Sequence, residues 1–366
     1  MVDKLKRIAF LLPNLGGGGA ERLSLTLAHE FARSGHAPEF VLMQAEGELL
    51  EEARASFPVR DLGCERARQL LLPLIAYLRR SKLDVLVAEI WPLTVIAPLA
   101  AFLAGFRGKV VVSEHAILSQ QYGLRGKAQR LILCASTFAS YRMAAARVGV
   151  SRGACADMAS ISRLALGSFT TIYNPIPHAI SPSSDAISAA KNLWGTGGPR
   201  ILTVGNLKPE KNQALLLRAF AALPQKDARL MLLGSGPEEY SLRALAETLG
   251  VAARVIFAGF QGDPAPFYVA ADLFVLSSNH EGFGNVIVEA LSYGLPVVST
   301  DCPAGPGEIL EGGTFGRLVP VGDAAALSGA IDAALDAPVD RTALVRRAKD
   351  FAPDIAARQY LAVMGL

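Results

Sequence analysis

At 366 residues the chain has room for two domains with separate cores, and 51% hydrophobic against 19% charged residues points to well-covered sheets. The most apolar run, Trp91 to Phe106, is interrupted by Pro92 and Pro98 and is too short for a transmembrane helix. The net charge of +3 is unevenly spread: up to Asn174 there are 21 Lys and Arg against 14 Asp and Glu (+7), and beyond it 15 against 19 (−4). That asymmetry suggests different partners for the two halves, the alternative being random drift of surface charge; no nucleic-acid partner is expected.

Met1 to Arg7 leads straight into a strand-like run with no small-residue cleavage site, so no signal peptide is expected and the protein is placed in the cytoplasm. Cys64, Cys134, Cys155 and Cys302 form no C-x-x-C pair, the five histidines do not cluster, and no Asp-x-Asp follows a strand. Neither a disulfide framework nor a protein-bound metal is expected.

Arg7 to Leu12 reads as a first parallel strand, Pro13 to Ala20 as its glycine turn, and Glu21 to Ser34 as a helix stopped by Gly35. Further strand-like runs at Glu39–Met43, Val85–Glu89, Lys109–Ser113 and Ala146–Ser151 alternate with helical patterns, the mark of a doubly wound α/β domain. The expected division is residues 1–175 as a first Rossmann-like α/β domain, 176–195 as a Ser-, Pro- and Ala-rich linker and 196–350 as a second α/β domain. A final helix in 351–366 is expected to cross back to the first domain. Strands of the second domain are expected at Ile201–Gly205, Leu230–Leu233, Val255–Ala258, Leu273–Ser277 and Pro296–Thr300, with Asn212 capping a helix after the first.

The most informative stretch is Asn279 to Pro296. Gly282 and Gly284 let a loop bring backbone N–H groups close to a ligand, and a helix from about Gly284 must stop before Gly294 and Pro296. Asn285, Glu289 and Ser292 form a narrow polar stripe on an otherwise apolar helix. A solvated face usually carries several charges, whereas this one carries a single Glu, so the stripe is read as facing something polar; the alternative is an ordinary solvent face. Glu281 and Glu289 can line one crevice at the carboxyl end of the strand, where open α/β sheets bind ligands.

Other stretches carry weaker signals. Gly16 to Gly19 can aim N–H groups at a phosphate or serve as a plain turn, and Lys208 and Lys211 can neutralise a diphosphate or lie in a solvated turn. Gly234-Ser-Gly-Pro237 is read as mainly architectural, and a lone His115 at a strand end is more often structural than catalytic.

Together these stretches resemble the retaining glycosyltransferases of family 4, with the GT-B fold of two facing Rossmann-like domains and an interdomain cleft. Glu281-Gly-Phe-Gly with Glu289 resembles the E-x7-E signature, Gly205 to Lys211 the phosphate loop, and Asp301 to Ile309 a variant of bacterial enzymes extending lipopolysaccharide, capsule or lipid-linked oligosaccharides. The resemblance implies that Glu281 binds the transferred sugar, Glu289 the ribose hydroxyls and Lys211 the diphosphate, with amides around Phe283, Gly284 and Asn285 approaching diphosphate and sugar. It further implies Gly17 and Gly18 over the diphosphate, His115 near the sugar, and Gly236, Asn206 and Lys208 beside the donor. Asn206 departs from the Arg usual in the family, and a neutral amide cannot replace that bidentate charge.

The implied activity is transfer of a hexose or N-acetylhexosamine from a nucleotide sugar, a UDP-sugar foremost, to a glycan or polyprenyl-diphosphate-linked glycan without a cofactor. Arg66, Arg68, Arg79, Arg80, Lys82, Arg107, Lys109, Arg125, Lys127 and Arg130 offer contact with the acceptor or with the anionic cytoplasmic leaflet of the inner membrane. A sugar-nucleotide epimerase or a non-catalytic nucleotide-sugar-binding subunit would share the same site.

Overall fold

The computed structural model describes residues 5–16, 18–122 and 126–366. Its contacts divide them into two units, one from the start of the chain to Pro177 together with Ala352–Leu366, the other His178–Phe351.

Among the described residues, the first unit holds a parallel sheet of β1 (Arg7–Leu12), β2 (Ala37–Leu42), β3 (Val59–Asp61), β4 (Val85–Glu89), β5 (Lys109–Glu114), β6 (Ala146–Gly149) and β7 (Thr170–Thr171). Spatial order is 3-2-1-4-5-6-7, so the sheet is wound outward in both directions from β1 and β4. The alternation of strand side chains sends Ile8, Phe10 and Leu12 to one face and Ala9 and Leu11 to the other, both covered. Helix Gly19–Arg33 packs on the first face through Leu27, Ala28 and Phe31, and helix Pro353–Met364 joins it there with Ala356, Ala357, Tyr360 and Met364. The Tyr360 hydroxyl lies 2.8 Å from Ser113 Oγ, and Lys109 Nζ donates to the Met364 carbonyl at 2.5 Å.

The second unit repeats the plan with β8 (Arg200–Val204), β9 (Arg229–Leu233), β10 (Val255–Gly259), β11 (Leu273–Leu276), β12 (Val297–Thr300) and β13 (Arg317–Val319), again parallel, in the order 10-9-8-11-12-13. Here β8 and β11 are the neighbours from which the order diverges. The carboxyl ends of two such strands are where open α/β sheets generally bind ligands.

The connector expected over 176–195 is shorter than its composition implies. Ser184–Trp194 is a helix, capped by Ser183 through the Ala186 N–H, and it packs on helix Ala265–Ala270 with Trp194 fully buried. Its exposed face is mostly Ser, Asp, Lys and Asn, with Leu193 also exposed, and that gave the segment its linker-like composition. The strands β3 and β13 are also additions to the sequence reading: both are edge strands, half exposed, and neither forms an apolar run.

Among the described residues no helix is long and apolar enough to cross a membrane.

Candidate functional site

In the second unit the loops after β8 and β11 are stitched together. Asn212 adopts a left-handed backbone (φ 45°), which ends the turn Pro209–Lys211 and lets its side chain accept from the Leu215 N–H of the next helix. Its Nδ2 donates to Asn279 Oδ1 at 2.9 Å, the Asn279 N–H donates to the Glu210 carbonyl at 2.8 Å, and Ser277 Oγ donates to the Lys211 carbonyl at 3.0 Å.

These bonds bring Lys211 and Glu281, far apart in sequence, into direct contact: Lys211 Nζ lies 2.6 Å and 2.9 Å from the two Glu281 oxygens. Ser278 Oγ, which sequence reasoning did not single out, adds a third bond to Glu281 Oε1 at 2.6 Å. Glu281 is only 9% exposed, and an ionised carboxylate so buried needs such donors to offset its lost hydration. Cys302 is buried nearby, and burial together with the Glu281 charge pushes its thiol up to about 12, so it stays protonated at neutral pH.

The loop after β8 rests on the glycine turn after β9. A Cβ at Gly234 would lie 2.2 Å from the Gly205 carbonyl oxygen, and one at Gly236 would lie 2.4 Å from that of Leu207. Gly236 therefore backs the phosphate-type loop from beneath. Lys208 and Asn206 are exposed on that loop, and the Asn206 carbonyl accepts from the Lys208 N–H and from Gln213 Nε2.

Helix Asn285–Ser292 starts at Gly284, whose φ of 99° a side chain would resist, and Phe283 is buried against Phe351 with ring centroids 5.5 Å apart. Behind it, Gly305 packs backbone to backbone on Phe283. The half-buried polar stripe has a named neighbour: the Tyr268 hydroxyl donates to Glu289 Oε2 at 2.8 Å. Ser292 turns its hydroxyl back to the Glu289 carbonyl of its own helix, so only part of the stripe points outward from the helix.

In the first unit Gly18 precedes helix Gly19–Arg33, and a Cβ there would meet the Glu21 carboxylate; Gly17 and Arg125 lie outside the described residues. His115 follows β5, with Nε2 3.4 Å from Glu89 Oε2 at the end of β4, and Ser24 Oγ donates to that same oxygen. Burial pulls the His115 imidazole down, but Glu89, then Glu114 and Glu21, outweigh it and hold it above its ordinary value. Burial raises Glu114 to about 7 despite bonds from Thr94, Tyr141 and the Trp91 N–H. Local sequence gave no signal for Glu89 or Tyr268, since each meets its partner only through the fold.

The remaining basic residues singled out in the first unit, from Arg66 to Arg130, are exposed. Among the described residues no three His, Cys, Asp or Glu side chains converge in a way that could hold a metal ion.

Residues 185–351 match the family "Glycosyl transferases group 1", and residues 17–179 match "Glycosyltransferase Family 4". The lipopolysaccharide core biosynthesis glycosyltransferase LpsE of Rhizobium meliloti is 40% identical over 162 residues, 44% of this chain and 47% of LpsE. An N-acetylgalactosamine-N,N'-diacetylbacillosaminyl-diphospho-undecaprenol 4-alpha-N-acetylgalactosaminyltransferase of Campylobacter jejuni is 39% identical over 121 residues, 33% of each chain. The chain thus spans less than half the length of these curated relatives. Among solved structures, Anabaena Alr3699/HepE in complex with UDP superposes with a TM-score of 0.82 at 25% identity, covering 98% of this chain and 99% of that one. The lipopolysaccharide outer core galactosyltransferase WaaB in its apo form gives 0.76 at 18% identity over 98% and 99%, a likeness of fold. Two glycosyltransferase family models thus match successive stretches of one chain with the GT-B fold.

Proposed function

We propose that the protein is a retaining glycosyltransferase that moves a hexose or N-acetylhexosamine from a UDP-sugar to a glycan or lipid-linked glycan in cell-surface polysaccharide synthesis. The observation that carries the reading is the Lys211–Glu281–Ser278 cluster at the point where the second sheet diverges. The UDP bound to Alr3699/HepE and the diphospho-undecaprenol in the Campylobacter enzyme's name support the donor and acceptor classes.

Such a transfer breaks the bond between the anomeric carbon and the diphosphate oxygen while the acceptor hydroxyl bonds to that carbon from the same face. The departing phosphate takes the hydroxyl proton. Most of the barrier lies in separating a diphosphate anion from a cation-like sugar, so fixed positive charge and N–H groups do the most useful work. Lys211, with Lys208 and amides near Phe283 to Asn285, would face the diphosphate; Glu281 would accept sugar hydroxyls and Glu289 the ribose hydroxyls. No protein-bound metal or cofactor enters this scheme. The exposed cations of the first unit suit an acceptor diphosphate or an anionic cytoplasmic membrane leaflet.

Thermal unfolding with UDP, GDP, ADP and their sugar conjugates tests the reading, since a ligand specific to the folded state stabilises it by about 2.7 kcal/mol at a hundredfold excess over Kd. The expected result is a selective shift with uridine compounds, and Glu281→Gln that still binds UDP but transfers no sugar. Asn206 favours one rival, a non-catalytic subunit, which would bind the donor and turn nothing over with any acceptor.

A further inference from the structure

We infer that Tyr268 is a positioning residue for nucleotide recognition, its hydroxyl holding Glu289 in the orientation that reads the vicinal hydroxyls of a ribonucleoside diphosphate. This rests on the donor reading above and adds to it a residue and a selectivity.

Tyr268 is 2% exposed on helix Ala265–Ala270, and its ring is held from two sides. Phe274 of β11 lies 5.9 Å away between centroids, and Tyr293 stacks on it at 5.7 Å with the planes 10° apart. Tyr293 is in turn tied down by a 3.3 Å bond from its hydroxyl to the Ile180 carbonyl. A phenol fixed this firmly has one direction for its proton, and that direction is Glu289 Oε2 at 2.8 Å.

The partner matters. A buried tyrosine usually satisfies its hydroxyl on a backbone carbonyl or water, whereas here it meets a half-buried carboxylate on the helix that begins at the Glu281 loop. Glu289 is one turn beyond Asn285, roughly 6 Å along the axis, a span that the sugar–phosphate part of a nucleotide covers. An ionised carboxylate only accepts, and its two oxygens offer about four lone-pair sites. A donor fixed on one of them sets the carboxylate plane and presents the acceptor edge that a pair of adjacent hydroxyls, each donating one proton, would match. Burial and the Glu289 charge both push Tyr268 far above its ordinary value, which keeps it a donor throughout the working pH range.

Isothermal titration of the full chain with UDP and 2'-deoxy-UDP tests the assignment, using wild type, Tyr268→Phe, Glu289→Gln and the double variant. Wild type should prefer UDP by about tenfold or more, the scale of one hydrogen bond to a charged group. Tyr268→Phe, which keeps the ring and its stack, should weaken UDP and leave 2'-deoxy-UDP nearly unchanged, so that the preference shrinks to within about threefold. The double variant should lose no more preference than Glu289→Gln alone, because Tyr268 acts through Glu289. A Tyr268→Phe variant with undiminished preference, or one that loses both nucleotides equally, overturns the inference. If the tyrosine variant does not fold, Glu289→Gln tests the diol instead, and an undiminished preference for UDP in that variant overturns the inference equally. Wild type that binds both nucleotides equally overturns the diol assignment and leaves the donor reading standing, whereas wild type that binds no nucleoside diphosphate overturns both.

Discussion

Substituting Gly305 by Ala should be among the most damaging small changes in the second unit. Gly305 sits at φ 92°, ψ −74°, outside even the left-handed helical region, and a Cβ built there would lie 1.7 Å from the Phe283 carbonyl oxygen. No rotamer relieves that contact, because both partners are backbone, so the chain must move at Phe283 or at Gly305. Gly312 provides the control: it too has a positive φ, 63°, but nothing lies within 4 Å of its added Cβ. Gly312→Ala should therefore cost only the left-handed penalty, about 1–2 kcal/mol. Gly305→Ala should add a forced backbone shift and reach about 4 kcal/mol, the upper range for single substitutions. Urea unfolding of both variants measures the difference, and nucleotide titration at a temperature where both are folded shows whether the Phe283–Gly284 turn has moved. Equal losses in the two variants, or wild-type nucleotide affinity in Gly305→Ala, would refute the argument from close approach.

Two further outcomes follow from the charges. Glu114 is 1% exposed and raised from an ordinary 4.5 to about 7, so the folded state prefers its protonated form. Its contribution is complete below about pH 4.5 and is lost as pH rises to about 7, a change on the order of 3 kcal/mol. Glu114→Gln should flatten the stability profile over that window in urea titrations at stepped pH; an unchanged slope would mean the carboxyl is ionised in the fold at all these values. Asn206→Arg should tighten nucleoside diphosphate binding about tenfold, with a steeper loss at high salt, as a guanidinium beside Lys208 adds a charge-assisted contact. Calorimetry at two salt concentrations measures it, and an unaltered Kd would place the loop away from the phosphates.

Much of this architecture was readable because the central strands are buried on both faces. Arg7–Leu12 and Val85–Glu89 are apolar runs bounded by turns, and a run of that kind admits few other readings. The edge strands β3 and β13 escaped because one side of each faces solvent, and the helix Ser184–Trp194 escaped because a single tryptophan carries most of its burial. The site divides in the same way. Lys211 and Glu281 could be assigned to one sheet edge from strand order, but the third donor, Ser278, and the phenol of Tyr268 reach their carboxylates through tertiary geometry that no local spacing encodes. Gly236 shows the converse: its position in a glycine turn was plain, while its packing under Leu207 required the neighbouring loop to be in place.

The return of helix Pro353–Met364 to the first sheet makes that unit discontinuous, with the whole of His178–Phe351 inserted between its parts. A ribosome making this chain therefore releases the sequence of the second unit in full before it releases the last pieces of the first core, Ala356, Ala357, Tyr360 and Met364. At about 5–20 residues per second, the first sheet waits roughly nine to thirty-five seconds with one face partly uncovered. Nascent chains should be most prone to chaperone capture and proteolysis in that interval, and helix Pro353–Met364 acts as a closing signal for a unit whose strands are all made well before it.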